Sequence, residues 1–542
     1  MSDLSYDVAV IGAGHNGLTL GTYLQRAGLS VGIFELARNI GGGASTEEVT
    51  LPGFRHNLHS MLHYWISHGP VYSELDLPAH GSRYVYPDAQ YAIVFKDGRS
   101  LVLYKDLERT CEQIAAFSRR DADAYRDLYR SFEAMLPLLM EASFQPPMAP
   151  STAGRFLEGT PDGLELLRMQ AASPRTLVNE TFESDEVKAW IGLMVAQGGH
   201  PWDVEGASFM VIGSFAGVHA WPFGLSVGGS RELAEAMGRG FREAGGEIHT
   251  EAAVARVVLE GGRATGLVLA DGRTVEARRA IASNVEVRPT MLDLVGEQNL
   301  DADFARKVRR YKSDAIVLFT PHLALNQAPA YTAAESNPDV AEAFAVGWGV
   351  ESTEDLESQF ADARAGVVPS RPGGMSFSPT VLDPSQAPPG KHTAFVWQLT
   401  TYHLRETGWD VAKAALGERL VEEWRAYAPN LTPENVLARY DYSPLDIERS
   451  NPSMVEGGAV HGDITPDQMG PFRPVPGWNY RMPIEGLYLC GGSTHPMGGV
   501  IGACGRNAAT VLADDLGVER WWKLPSEQPG SVWAALADSP AP

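Results

Sequence analysis

The chain has 542 residues, of which 44% are hydrophobic and 20% charged. That composition excludes a chain disordered throughout, and 56 Gly and 36 Pro without a period exclude a collagen-like or low-complexity fibre. A net charge of −23 repels phosphate backbones and anionic bilayers, so nucleic acid is not an expected partner, and three cysteines leave no disulfide framework.

The chain starts Met1-Ser2-Asp3 and reaches Gly12 after one short apolar burst, without the basic start and long apolar run of a secretory signal. No stretch approaches the ~18 apolar residues of a membrane helix. The expectation is a cytoplasmic protein with reduced thiols. Peripheral contact with a membrane and the oligomeric state stay open.

Residues Tyr6–Ile11 read as a strand of a sheet covered on both faces. Gly12-Ala13-Gly14-His15-Asn16-Gly17 follows as a tight turn, Leu18–Ala27 as a helix stopped by Gly28, and Ser30–Phe34 as a second strand closing on Glu35. The spacing has a physical purpose. Gly12 permits the sharp exit from the strand, Gly14 lets a pyrophosphate approach the backbone, and Gly17 lets helix and strand pack closely. Free N–H groups at the helix start attract the phosphates, and Glu35 is placed to accept from ribose hydroxyls while repelling a 2′-phosphate. A dinucleotide other than NADP is predicted.

A second glycine cluster follows at once in Glu35-Leu36-Ala37-Arg38-Asn39-Ile40-Gly41-Gly42-Gly43-Ala44. NAD does not need it. Here the sequence resembles the large FAD-dependent family that includes amine oxidases and phytoene desaturases, in which an acid, a basic residue and a Gly-Gly pair run beneath the cofactor. Arg38, Gly42, Gly43 and Ala44 match.

Far along the chain, Gly486–Leu489 reads as a strand leading into Gly491-Gly492, then the loop Ser493-Thr494-His495-Pro496-Met497-Gly498-Gly499, then a helix over Val500–Leu512. A helix start beside a flavin stabilises the charge gained on reduction. This run resembles the phytoene-desaturase-like flavoproteins, and within them the branch called pyridine nucleotide-disulfide oxidoreductase domain-containing protein 2. The resemblance extends over Gly228–Asn284, Pro388–Trp397 and Asp446–Arg481. It places Gly491, Gly492, Thr494, Gly499 and Val500 against the flavin, and the backbone of Val254 against the adenine. Met497 stands where glycine is frequent and would narrow the space beside the ring.

The implied fold is α/β: a Rossmann-type FAD-binding domain of the amine oxidase and phytoene desaturase kind, with a mixed-sheet and helical substrate domain. The FAD-binding domain is expected from residues 1–75, 226–300 and 475–520, and the substrate or cap domain from 76–225 and 301–474. Residues 525–542 read as a loose tail on which Trp533 could dock. Asp106–Leu139 carries apolar residues at helical spacing and reads as cap helices. Hairpin turns are expected at Glu260-Gly261-Gly262 and Asp271-Gly272, within a small crossing sheet.

Cys111, Cys490 and Cys504 are too far apart in sequence for a redox pair, so disulfide chemistry is not expected. His56, His59, His63 and His68 invite a metal reading, but no cysteine or carboxylate completes a shell nearby, and no metal is predicted. His200, Trp202, His219, Trp221 and Phe223 form a second stretch that suits either a core or a cavity wall.

The resemblance implies an enzyme that takes two hydrogens from a largely apolar substrate, with the hydride passing to FAD and oxygen or a quinone as final acceptor. C–C desaturation leads. Oxidation of C–OH or C–N bonds, or flavin binding without turnover, are the alternatives. His495, His59 and His63 are the candidate catalytic residues, with His495 expected to face the cavity beside the flavin.

Overall fold

A computed structural model describes residues 3–531, leaving aside positions 64, 134, 159–160, 200, 209–210, 212–213 and 216. Trp533 and His200 therefore lie outside the described residues.

Strand β1 (Leu4–Ile11) is buried on both faces from Val8 to Ile11. The helix after it spans His15–Arg26 and starts three residues before the expected Leu18, because Gly14 itself is the N-cap and carries no side chain to cap it. Gly28, at φ +94°, ends that turn of chain where other residues would be strained. β2 (Val31–Phe34) lies parallel beside β1.

The chain then forms the antiparallel pair β3 (Ala89–Val94) and β4 (Ser100–Tyr104). The expected cap helices follow over Leu107–Ala115, Arg119–Glu133 and Leu136–Ser143. The helix Ser230–Glu243, opened by Gly229, leads into β5 (Glu247–His249), β6 (Val254–Glu260), β7 (Arg263–Leu269) and β8 (Thr274–Ser283). Next come β9 (Val317–Leu325), β10 (Ala345–Trp348), β11 (Gly374–Phe377), β12 (His392–Thr400) and β13 (Val436–Tyr442). Last are β14 (Leu487–Leu489) and the helix Ala503–Asp515.

The first sheet has the order β6-β7-β8-β1-β2-β5. β8 joins its two halves. Its first residues pair antiparallel with β7 and its last three pair parallel with β14, on the edge away from β1. The hairpin β6–β7 is thus an extension of the main sheet, where the sequence suggests a separate small one. The second sheet has the order β13-β9-β12-β11-β10-β3-β4, antiparallel except at β10 and β3. Its strands alternate. Tyr91, Ile93, Phe395 and Trp397 pack toward the cap helices and Trp190, while Ala92, Val94, Ala394 and Val396 pack toward Trp409, Leu420 and Trp424 of the helix Trp409–Arg425. Two-sided burial of this kind needs helices on both faces.

The terminal helix begins at Ala503, three residues after the expected Val500. Gly499 (φ +107°) and the N-cap Gly502 (φ +78°) are left-handed, so the backbone between them is not helical. The helix packs tightly on the first one: a Cβ at Gly505 would stand 2.1 Å from the Asn16 carbonyl oxygen. Among the described residues no helix is long and apolar enough to cross a membrane.

Candidate active site

The glycine turn after β1 lies in the wall of a cavity of about 650 Å³. Gly12 takes φ +92°, and a Cβ at Gly17 would come within 2.2 Å of the Gly12 carbonyl oxygen, so only glycine closes this turn. The second glycine cluster lies alongside, with the Gly41 N–H donating to the Ala13 carbonyl at 2.9 Å. Glu35 fastens both pieces: its Oε2 accepts from the Ala13 N–H at 2.7 Å and its Oε1 from the Ala37 N–H at 2.8 Å. Burial raises its pKa above the usual carboxylate value, while these N–H groups pull it back.

A second cavity, of about 200 Å³, lies beyond the first. Met61, Leu62, Met194, Trp397, Met454 and Met497 give it a largely apolar wall. The two cavities share His15, Gly43, His59, His461, Gly498 and Gly499. Residues from the first turn of the chain, from the segment before Ser60 and from the C-terminal loop thus meet at one place. His15 and Gly499 both stand on this junction. Burial holds His15, His59 and His461 at pKa values of about 4, so all three are neutral near pH 7.

The expected binding residues distribute unevenly. Gly12, Gly14, His15, Asn16, Glu35, Leu36, Arg38, Gly42, Gly43, Val254, Gly492 and Gly499 line the first cavity. Ala13, Gly17, Ala44, Gly491 and Thr494 do not. They are packing and backbone-bonding positions behind the wall, as where Thr494 Oγ1 donates to the Gly491 carbonyl at 2.8 Å. Val500 lines the second cavity instead of the first.

The three candidate catalytic histidines separate as well. His59 is on the shared wall. His63 is fully buried away from both cavities, with Nδ1 on the Tyr84 hydroxyl at 3.0 Å and Nε2 on the Ser60 hydroxyl at 3.1 Å. His495 corrects the sequence expectation: its ring does not line either cavity, and its Nε2–H donates to the Ala142 carbonyl at 3.0 Å. Sequence reasoning missed Asn284, Arg231, Tyr442 and His461, all on the first cavity wall. Asn284 carried a signal, since it closes the AIASN run that ends β8. His461 carried none beyond its place in a stretch matched to the family.

The residues fit a dinucleotide. Gly14 leaves a cradle in which a Cβ would sit 2.6 Å from Asn284 Nδ2. The helix start at His15 is uncapped, and His15 Nε2, Ser45 Oγ and Arg231 Nε are buried without a hydrogen-bond partner, donors and acceptors that a long polar ligand would satisfy. Among the described residues no cluster of His, Cys, Asp or Glu is arranged to hold a metal ion. The three cysteines are buried and unpaired, with burial pushing Cys111 up to about 11 and raising the other two. Thiolate chemistry has no support in these surroundings.

Residues 10–75 match the family model of NAD(P)-binding Rossmann-like domains. The chain is 32% identical to a limonene dehydrogenase polypeptide of Castellaniella defragrans, over 96% of this chain and 97% of that one. It is 32% identical to pyridine nucleotide-disulfide oxidoreductase domain-containing protein 2 of Rattus norvegicus, over 94% of each, and 27% identical to a lycopene-forming phytoene desaturase of Paracoccus, over 94% and 97%. In fold it is similar to cyclohexylamine oxidase from Brevibacterium oxydans, with a TM-score of 0.55 at 16% identity, over 94% and 99% of the two chains.

Proposed function

The chain belongs to the phytoene-desaturase-like FAD-dependent oxidoreductases, and on that premise we propose that it removes two hydrogens from a compact, largely apolar substrate held in the second cavity. One observation carries this reading: the cavity with dinucleotide features ends against an apolar cavity, and the two share a wall.

The glycine turn and the uncapped helix start would hold the diphosphate of FAD, Glu35 the ribose, and the Val254 strand the adenine. Bound there, FAD supplies a ring that accepts a hydride. The chain's own residues do the rest. Gly498 and Gly499 bring backbone to the shared wall, and the methionine and tryptophan side chains exclude water around the bond to be oxidised. A volume of about 200 Å³ is below the ~300–1,000 Å³ of drug-sized ligand sites. It suits a compact molecule. The limonene dehydrogenase among the relatives supports that size class.

Desaturation of a C–C bond leads, with oxygen or a quinone as the final acceptor. A second reading, oxidation of C–OH in a molecule of the same size, is favoured by Ser60, Ser214 and Gln197 in the same wall.

The test has two arms. Protein denatured after purification should release FAD, and Glu35→Ala should hold it ten- to a hundredfold more weakly, for charged hydrogen bonds worth about 1.5–3 kcal/mol. Release of FMN or NAD in its place would sink the cofactor assignment. Anaerobic mixing with limonene, menthol or menthylamine should then bleach the flavin band near ~450 nm. Product mass and conjugation separate desaturation from alcohol or amine oxidation, and no bleaching by any of the three would refute the substrate class.

A further inference from the structure

Four non-glycine residues among those described have positive φ, and only His461, at φ +55°, lies on a cavity wall. A backbone of this kind persists where its surroundings over-determine it. Here they do so with three polar side chains from outside the loop, Tyr311 and Arg473 buried and Asp314 half-buried. Asp314 accepts from the Val460 N–H at 2.9 Å and from the Gly462 N–H at 2.7 Å. Arg473 is wholly buried and donates to the carbonyls of Val460 and His461 at 3.0 Å, and to that of Gly492 at 2.9 Å. Tyr311 donates its hydroxyl to the His461 carbonyl at 2.7 Å.

Two glycines complete the bracket. A Cβ at Gly498 would stand 2.3 Å from the Val460 carbonyl oxygen, and one at Gly492 would stand 3.0 Å from Cδ2 of His461. His461 Nδ1 is buried without a hydrogen-bond partner, and the residue stands on the wall of both cavities. Asp314, Arg473 and Tyr311 all bond the backbone of the loop 460–462, Arg473 ties it to Gly492 as well, and His461 is that loop's contribution to both cavities at once.

We propose that His461 is a catalytic residue that accepts the proton leaving the substrate, with Asp314, Arg473 and Tyr311 as its positioning residues. The inference rests on the substrate reading above. In a C–C desaturation, one C–H bond breaks with its electron pair leaving as hydride to the flavin, the two-electron acceptor. The neighbouring C–H bond breaks, its pair becomes the new π bond, and its proton goes to Nε2 of His461 and on to water. The groups facing the ring agree with this role. Burial, His15, His59 and Arg473 all disfavour a charged imidazole, and the Ser453 backbone is the one opposing influence. The ring is therefore neutral when the reaction begins.

The experiment uses the FAD-loaded protein with whichever of limonene, menthol or menthylamine bleaches the wild type. His461→Gly suits the positive φ and leaves a hole the size of an imidazole. FAD content and the resting flavin spectrum should match wild type, and flavin reduction should slow by about 10²–10⁴-fold, the usual share of a general base. Added imidazole should restore at least tenfold, and the rescue should rise with pH as the added imidazole loses its proton near neutrality. A residue that only braces the loop would not give rescue that follows the neutral form of an added base. Asp314→Asn should also slow reduction while keeping FAD, without rescue. Reduction of His461→Gly at the wild-type rate, a slow rate that imidazole leaves unchanged, or loss of FAD from His461→Gly would each overturn the assignment of His461 alone. A wild type that none of the three compounds reduces would overturn the substrate reading and the role of His461 with it.

Discussion

His495 and His461 show how little a histidine's place in a motif says about its chemistry. Both are held neutral, at about 4, by burial. His495 donates its Nε2–H to the Ala142 carbonyl, however, and so ties the terminal loop to the end of the helix Leu136–Ser143. His495→Ala should therefore cost about 1–3 kcal/mol of stability, the penalty of leaving a buried carbonyl unpaired. Flavin reduction in that variant should stay within about twofold of wild type, against the 10²–10⁴-fold expected of a lost base. Thermal unfolding followed beside rapid-mixing reduction separates the two effects, and a large rate loss with unchanged stability would put His495 back into the chemistry. The sequence shows that His495 sits between two glycine pairs. It does not show which way the ring turns, because that depends on a carbonyl 353 residues away in the chain. His63 eludes sequence reasoning for the same reason, since its partners Tyr84 and Ser60 are a matter of tertiary packing.

At the scale of elements, the turns are more legible than the helix starts. Gly12, Gly14 and Gly17 are demanded by local geometry, and local geometry is what spacing encodes. The strand–turn–helix–strand order over residues 4–34 follows from it. Apolar pattern alone puts the start of the terminal helix at Val500, and the left-handed Gly499 and Gly502 defeat that pattern. β8 shows in the sequence only as the run that ends at Asn284, because a strand that serves two neighbours on one edge has no signature in its own residues. The loop between β14 and the terminal helix is the element on which the shared wall depends. Gly498 is its tightest point, and its N–H donates to the Val460 carbonyl at 3.1 Å. Gly498→Ala would drive a methyl group into that same carbonyl, 2.3 Å away, and the two loops would have to part. The expected result is a folded protein that releases FAD more readily and is reduced more slowly. Gly408→Ala is the control, since nothing lies within 4 Å of a Cβ there. Equal FAD retention in the two variants would show that the contact between the loops is dispensable.

For the whole molecule, the same burial that keeps the histidines neutral makes the fold sensitive to acid. Burial pushes His56 and His63 down to about 3, and His15, His59, His461 and His495 to about 4, from an ordinary value near 6.5. These groups bind protons in the unfolded chain from pH ~6.5 downward but in the folded one only near pH 4. Their neutral form is therefore an advantage to the fold that is complete above pH ~6.5 and is lost as the pH falls toward 4. Asp441 and Asp463, pushed up to about 6 by burial, act in the opposite direction, because the folded chain takes up those protons first. Burial also raises Glu35, Glu286 and Asp314, but it lowers more histidines than it raises carboxylates, so stability against urea should fall between pH ~6.5 and ~4.5. His63 offers a clean test, since it lies outside both cavities and its ring is hydrogen-bonded at both nitrogens by neutral hydroxyls. His63→Gln keeps a polar side chain but cannot take up the proton. It should lower stability at pH 7 and reduce the slope of stability against pH between 6 and 4.5 by about 1.4 kcal/mol per pH unit, the contribution of one proton. Urea midpoints measured at half-unit steps, at fixed FAD concentration, give both numbers. An unchanged slope in His63→Gln would mean that His63 takes up its proton in the folded protein, and that its pairing with Tyr84 and Ser60 survives the charge.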